Sequence, residues 1–185
     1  MSPEGFRWID GERTIAFGRG AVAQASGLIG ASYRLLSTER SAASAPALAD
    51  GAAAVHHVRP GRVDEIAGEL LGSVSGDWLV ALGGGRVIDT AKALAAAGAV
   101  ARVAAIPTTL SGAEMTAIHR QAAGAPRGAV GVRPALVVND PALSASQPVA
   151  ELAASAGNAL GHALEGPLTP LRNPLATLAR SRRAG

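Results

Sequence analysis

The sequence contains no cysteine, a single lysine (Lys92) and only 3% aromatic residues. The absence of cysteine excludes disulfides, thiolate nucleophiles and thiolate-bound zinc, so any metal would have to be held by His, Asp, Glu or Asn. With so few aromatic side chains there is almost no surface on which single-stranded nucleic acid could stack. The arginines are scattered until Arg180, Arg182 and Arg183. We therefore expect no nucleic-acid partner.

Long apolar runs are also missing. No stretch approaches the ~20 uninterrupted apolar residues of a membrane span, and residues 1–11 mix charges with single apolar residues, unlike a secretory leader. We expect a cytoplasmic protein with no membrane partner. The net charge is only +3, and the pI near 10.5 arises because the basic residues are almost all arginine. That pI is a poor argument for nucleic-acid binding.

What the sequence does contain is an alternation of short apolar runs and stretches of helical periodicity. This pattern is typical of βαβ units and predicts an α/β fold with a Rossmann-like, mainly parallel sheet and helices on both faces. The predicted strands are 14–17, 33–37, 55–58, 78–82, 103–106 and 135–138. The predicted helices are 21–29, 62–71 and 87–97, and residues 41–54 are a weak helix or a loop.

The 185 residues allow one buried core and the beginning of a second domain. Asp140-Pro141 ends the last predicted strand, and from Pro148 apolar residues recur at helical spacing until Pro167 and Pro170. We therefore predict a dinucleotide-binding domain over residues 1–140 and the first helix of an incomplete, all-helical domain over residues 141–185.

The clearest chemical signal is a glycine triplet, Gly83, Gly84 and Gly85, directly after the apolar strand predicted at 78–82. Because these residues have no side chains, their backbone N–H groups can approach a pyrophosphate. The following helix directs its positive end at the same anion. The segment predicts dinucleotide binding.

Asp89 and Lys92 lie three residues apart in the first turns of that helix. At this spacing they could reach a ligand or pair with each other. The alternative interpretation of the whole segment is a tight turn followed by a surface ion pair.

The spacing from the glycines to Asp89 and Lys92, GGGxxxDxAK, resembles the fingerprint of iron-containing alcohol dehydrogenases and their glycerol dehydrogenase relatives. The resemblance implies NAD or NADP as cofactor, with the glycines, Asp89 and Lys92 at its binding site. The position after the third glycine is often Ser in that family. It is Arg86 here, which could add a phosphate contact or point outward.

A second match covers residues 105–116 and contains Thr108 and Thr109. In the family this loop holds the nicotinamide side of the cofactor, so the resemblance assigns both threonines to cofactor binding. The alternative is an ordinary turn after a strand, whose hydroxyls satisfy local backbone groups. A third match, at residues 138–143, marks the entry to the second domain.

Glu39 and Arg40 follow the second predicted strand of the βα series, where nucleotide-binding folds select the adenosine ribose. A carboxylate there accepts from the 2′-hydroxyl of NAD, whereas an arginine can neutralise the 2′-phosphate of NADP. Glu39 therefore favours NAD, whereas Arg40 favours NADP. We assign Glu39 to cofactor binding and favour NAD slightly.

Asn158 and His162 lie four residues apart, on one face of the last predicted helix. The family usually has Asp and His at this spacing, and two later histidines complete an iron or zinc site. Here Asn is the weaker donor and the chain ends at Gly185, so an iron or zinc site is expected to be incomplete. The segment from Asn158 to Glu165 more closely resembles the corresponding segment of maleylacetate reductases. Those enzymes have Asn at this position and do not depend on metal.

The resemblance implies hydride transfer between a nicotinamide and a small alcohol, aldehyde or keto-acid substrate, with His162 facing the reacting oxygen as metal ligand or proton donor. We also expect a homodimer. The main alternative is a non-catalytic, truncated remnant that at most binds nucleotide, because the helix after Pro148 would leave its apolar side exposed. A lyase similar to dehydroquinate synthase is a weaker alternative.

Overall fold

The computed structural model describes residues 5–30, 32–126, 128 and 130–165. Residues 166–185, with Pro167, Pro170 and the last part of the predicted helical domain, lie outside this part. Among the residues described, no helix is both long and apolar enough to cross a membrane.

Seven strands form one sheet in the order β1-β2-β7-β6-β5-β3-β4. Every neighbouring pair is parallel except β1 and β2, which are antiparallel. The strands are β1 (Phe6–Asp10), β2 (Arg13–Phe17), β3 (Arg34–Ser37), β4 (Ala54–His57), β5 (Gly76–Gly83), β6 (Val100–Pro107) and β7 (Leu136–Asn139). The predicted mainly parallel α/β sheet is confirmed.

The helices follow the strands along the chain, as βα units require. They are a 3₁₀ turn (Ala21–Gln24), α1 (Ala25–Ile29), α2 (Glu39–Ser44), α3 (Pro46–Asp50), α4 (Val63–Leu70), α5 (Gly85–Ala96), α6 (Pro141–Ser144) and α7 (Val149–Glu165). The helix predicted from Pro148 is present as α7, whereas the domain boundary at Asp140 stays a prediction.

The interior strand β5 is buried on both faces, which explains its continuous apolar run. Leu79 and Ala81 point to the face covered by α4 and α5. Val80 and Leu82 point to the opposite face, covered by α1, α3 and α6. The two faces carry separate hydrophobic clusters, so helices cover both sides of the sheet as predicted.

The structure adds one strand to the predicted sheet and decides between the two alternatives left open for residues 41–54. The edge strand β1 was not predicted, although Gly11, with φ 62°, forms the turn of a hairpin with β2 and the Phe6 and Phe17 rings stack 5.3 Å apart. Residues 41–54 contain parts of two short helices separated by Ala45. The first of these begins at Glu39 because the Thr38 side chain caps it by accepting from the Ser41 N–H.

The core position of Ile88 gives a first test of this packing. Ile88 in α5 is fully buried between helix and sheet, so Ile88→Ala should lower the free energy of unfolding by about 2–5 kcal/mol. Val55→Ala, at a side chain 37% exposed on β4, is the matched control and should change it little. Urea unfolding followed by circular dichroism measures both, and equal losses in the two variants would contradict the assigned core.

Candidate functional site

The candidate site lies at the carboxyl edge of the sheet, where β3, β5 and β6 end side by side. Ser37 is in register with Leu82, and Gly83 is in register with Pro107. In open parallel sheets this edge is where ligands bind. The fold therefore brings the loops after three strands together at the place where the sequence predicted a cofactor.

The glycine triplet forms the junction between β5 and α5. Close packing by neighbouring side chains, and not an unusual backbone conformation, favours glycine at these positions. Gly84, the N-cap of α5, has φ −78°, a value that any residue adopts. A Cβ at Gly83 would lie 2.6 Å from Val87 Cγ2, one at Gly84 would lie 2.9 Å from Thr109 Cγ2, and one at Gly85 would lie 3.0 Å from Ser111 Oγ. A side chain at Gly83 or Gly84 would force a neighbouring side chain to move, and one at Gly85 would lie in tight contact with Ser111.

The loop after β6 lies against these glycines. Gly84 and Gly85 are half-buried, so part of their backbone stays accessible beside Thr109 and Ser111. The Thr108 N–H donates to the Gly83 carbonyl over 3.0 Å, which ties the start of this loop to the end of β5. The two segments that the sequence assigned to the cofactor are thus in direct contact.

The two threonines have different surroundings. Thr108 is 1% exposed, and its Oγ1 lies 3.4 Å from Ser41 Oγ, which in turn accepts from Thr38 Oγ1 over 3.0 Å. Thr109 is half-buried against Gly84. The hydroxyl of Thr108 therefore joins the loop after β6 to the first turn of α2, whereas Thr109 lies where a ligand could reach it.

Lys92 and Asp89 do form the ion pair that the sequence left open, with Nζ 2.8 Å from Oδ1. The expectation of a surface pair is wrong for Lys92, which is fully buried because its ammonium points into the protein. Nζ donates to three backbone carbonyls in the loop after β6, those of Ala113 (2.9 Å), Thr116 (3.2 Å) and Ile118 (2.7 Å). These use the three protons of an ammonium, so Lys92 fixes this loop. Cofactor contacts by Asp89 and Lys92 stay a prediction.

Glu114 is a buried carboxyl in the same loop, to which the sequence gave no role. Its Oε2 has no hydrogen-bond partner among the residues described. Burial raises the pKa of the Glu114 carboxyl, while a backbone hydrogen bond and the charges of Lys92 and Arg13 act in the opposite direction. Only its position in the matched loop could have drawn attention to it.

A cleft of about 470 Å³ opens beside the glycine junction. Glu39, predicted to bind the ribose, lines it as the first residue of α2. The cleft also contains residues that the sequence did not connect with one another, because they come from distant segments. Its lining is Thr38, Glu39, Arg40, His57, Val58, Arg59, Pro60 and Arg86.

The predicted metal and catalytic position lies on α7. His162 is exposed, and its Nδ1 lies 3.7 Å from Glu165 Oε2 of the same helix. The side chain of Asn158 is outside the part that the structure describes. In that part, no group of three or more His, Asp or Glu side chains is placed to hold a metal ion.

Known proteins share both sequence and fold with this chain. It is 40% identical over 129 residues to maleylacetate reductase 1 of Rhodococcus opacus, a match covering 68% of this chain and 35% of that protein. The structure of maleylacetate reductase from Agrobacterium tumefaciens is 29% identical, with a TM-score of 0.68 over 96% of this chain and 54% of its own. No protein-family model matches the chain.

A third relative extends this likeness. The structure of an iron-containing alcohol dehydrogenase from Corynebacterium glutamicum is 29% identical, with a TM-score of 0.66 over 89% of this chain and 50% of its own. The chain spans about a third of the length of the curated relatives that it matches first. Over the part compared, the chain is a homologue of maleylacetate reductases and has the fold of iron-containing alcohol dehydrogenases.

The buried ammonium of Lys92 yields a second prediction. Lys92→Met leaves the Asp89 carboxylate and three carbonyls without their partner, so the free energy of unfolding should fall by about 1–3 kcal/mol. Amide hydrogen exchange should also rise over residues 113–118, since the loop loses its anchor. Arg62→Met, which removes an exposed ion pair with Asp64, is the control. Unchanged exchange in the loop would show that Lys92 does not fix it.

The buried carboxyl of Glu114 yields a third prediction. Because the native pKa is raised, the native state holds this proton more tightly than the unfolded chain. Stability is therefore lost as the pH rises from the ordinary glutamate pKa of ~4.3 through the raised native value. Glu114→Gln cannot ionise, so its stability relative to the wild type should increase over that interval. Urea midpoints from pH 4 to 8 measure this, with Glu12→Gln in the exposed β1–β2 turn as control. A constant difference between wild type and variant would contradict the buried carboxyl.

Proposed function

We propose, from its homology to maleylacetate reductases and its likeness to iron-containing alcohol dehydrogenases, that this chain is the nucleotide-binding part of an NAD(P)-dependent oxidoreductase. The observation that carries the proposal is the junction of β5 and α5. Three glycines there leave little room for side chains, and the threonine loop after β6 lies in contact with the second and third of them. An extended dinucleotide needs such a bare backbone next to a helix N-terminus.

The groups at this carboxyl edge of the sheet would bind different parts of the dinucleotide. The N–H groups of Gly84 and Gly85 and the positive end of α5 would hold the pyrophosphate. Thr109 would donate to the ribose on the nicotinamide side, and Thr108 would position that loop through its contact with Ser41. Glu39 would face the adenosine ribose from the cleft.

A bound nicotinamide would supply the hydride that is exchanged with the substrate carbon. The substrate class proposed is a small alcohol, aldehyde or keto acid, and the names of the relatives make maleylacetate the first compound to test. His162 would give a proton to the oxygen that becomes the hydroxyl. A homodimer stays a prediction.

An iron or zinc ion does not fit the residues that the structure describes. His162 is exposed beside Glu165, and no set of three ligating side chains is assembled in the described part of the chain. A stable iron or zinc site needs at least three protein ligands. We therefore derive no step through a metal.

A second candidate function is nucleotide binding without turnover. Two observations on α7 favour it: His162 is exposed, and the apolar side chains of Val149, Leu160 and Leu164 are 83, 56 and 49% exposed. Reduction of maleylacetate and of a panel of aldehydes and keto acids, followed by the loss of NADH or NADPH absorbance, separates the two functions. Binding of the dinucleotide with no turnover would leave only the second.

The glycine junction gives the fourth prediction. Gly84→Ala places a methyl group 2.9 Å from Thr109 Cγ2, so the loop after β6 has to shift away from the helix N-terminus at which we propose that the pyrophosphate binds. Dinucleotide binding should weaken by at least about tenfold, or ~1.4 kcal/mol, as measured by titration with NADH and NADPH followed by nucleotide fluorescence. Gly27→Ala on α1, where an added Cβ has nothing within 4 Å, should bind as the wild type does. Equal affinities of the two variants would count against a cradle at Gly84.

A further inference from the structure

The cleft beside the glycine junction is unusual in its charge. Three of its eight lining residues are arginines, and Glu39 is its one carboxylate. The arginines come from different elements: Arg40 from the first turn of α2, Arg59 from the loop after β4, and Arg86 from the first turn of α5. The tertiary fold, and not a basic run of sequence, makes this cleft cationic.

Two of these arginines already have partners. Arg59 Nη2 lies 2.5 Å from Glu69 Oε1, and its Nε donates to Glu69 Oε2 over 3.2 Å. Arg40 Nη2 lies 3.7 Å from Glu151 Oε2 at the start of α7. Arg86 is exposed and forms no ion pair with any residue that the structure describes. Its guanidinium is therefore the one in the cleft whose charge is not already balanced within the described chain.

The position of the cleft indicates which anion it would take. It lies at the carboxyl ends of β3 and β4, and its Glu39 directly follows the Thr38 N-cap of α2. In nucleotide-binding sheets the adenosine ribose lies near the end of the corresponding strand, and an arginine there neutralises a 2′-phosphate. A guanidinium matches phosphate geometry with two parallel N–H donors.

We infer that Arg86 binds the 2′-phosphate of the dinucleotide in this cleft and gives the chain a preference for NADP(H) over NAD(H). The inference rests on the proposed function and deepens it. It also reverses the slight preference for NAD that the sequence suggested. Glu39 alone favours an unphosphorylated ribose, but Arg86 adds an unpaired positive charge opposite the same group.

Substitution by serine tests the inference, because Ser is the residue that the related family often has at this position. The full chain is titrated with NADPH and with NADH, and binding is followed by nucleotide fluorescence. The wild type should bind NADPH at least about tenfold more tightly than NADH. Arg86→Ser should weaken NADPH binding by about tenfold, the loss expected for one charge-assisted contact, and change NADH binding less than about twofold.

Three comparisons make the result specific. Arg7→Ser on β1, at the opposite edge of the sheet, removes the same charge and should leave both affinities unchanged. Arg86→Lys keeps the charge but not the planar pair of donors, so it should bind NADPH with intermediate affinity. Adenosine 2′,5′-bisphosphate should displace NADPH from the wild type better than ADP does, and this difference should disappear in Arg86→Ser.

The other outcomes overturn the inference in distinguishable ways. An equal loss of both nucleotides in Arg86→Ser would place the guanidinium on the pyrophosphate, which the two nucleotides share. Equal affinities for both nucleotides in the wild type would remove the preference itself while leaving the proposed function in place. Binding of neither nucleotide by wild-type protein with an intact circular dichroism spectrum would overturn the proposed function, and the inference with it.

Discussion

The lack of room at the turn between β5 and α5 is the constraint on which the rest of the site depends. Val87, Thr109 and Ser111 approach the glycine backbone so closely that an added Cβ at each glycine would lie within 3.0 Å of one of them. Because the turn is bare, the loop after β6 can lie directly against it, and the ends of two neighbouring strands share one surface. A larger residue at Gly84 or Gly85 would push this loop away from the helix, and one at Gly83 would displace Val87 of the helix itself.

The buried ammonium of Lys92 holds the same loop at a second place. Its three carbonyl partners belong to residues that an irregular loop would otherwise leave without hydrogen bonds, and the nearby carboxylate of Asp89 balances the charge. Helix α5 thus presents its N-terminus to the candidate pyrophosphate position and fixes the adjacent loop with a side chain two turns further on. One helix sets the geometry of both halves of the site.

Much of this arrangement could be predicted from the sequence, because the signals are local. The apolar run of β5, the glycines and the periodicity of α5 each require only neighbouring residues, and the predicted order of strands and helices is confirmed. The edge strand β1 was missed because it is short, with alternate residues exposed. Two other features depend on tertiary contacts between distant segments. They are the carbonyl partners of the Lys92 ammonium and the position of Arg40, Arg59 and Arg86 in one cleft. No local pattern encodes them.

The burial of Lys92 has a consequence for the chemistry of the folded surface. Lys92 is the only lysine in the sequence and it is fully buried, so the native fold exposes no side-chain primary amine. Amine-directed acylating reagents, crosslinkers and lysine-modifying enzymes can reach the one side-chain amine of this protein only after α5 has separated from the loop that covers it. Acylation of that single side chain therefore reports on the opening of the loop beside the glycine junction.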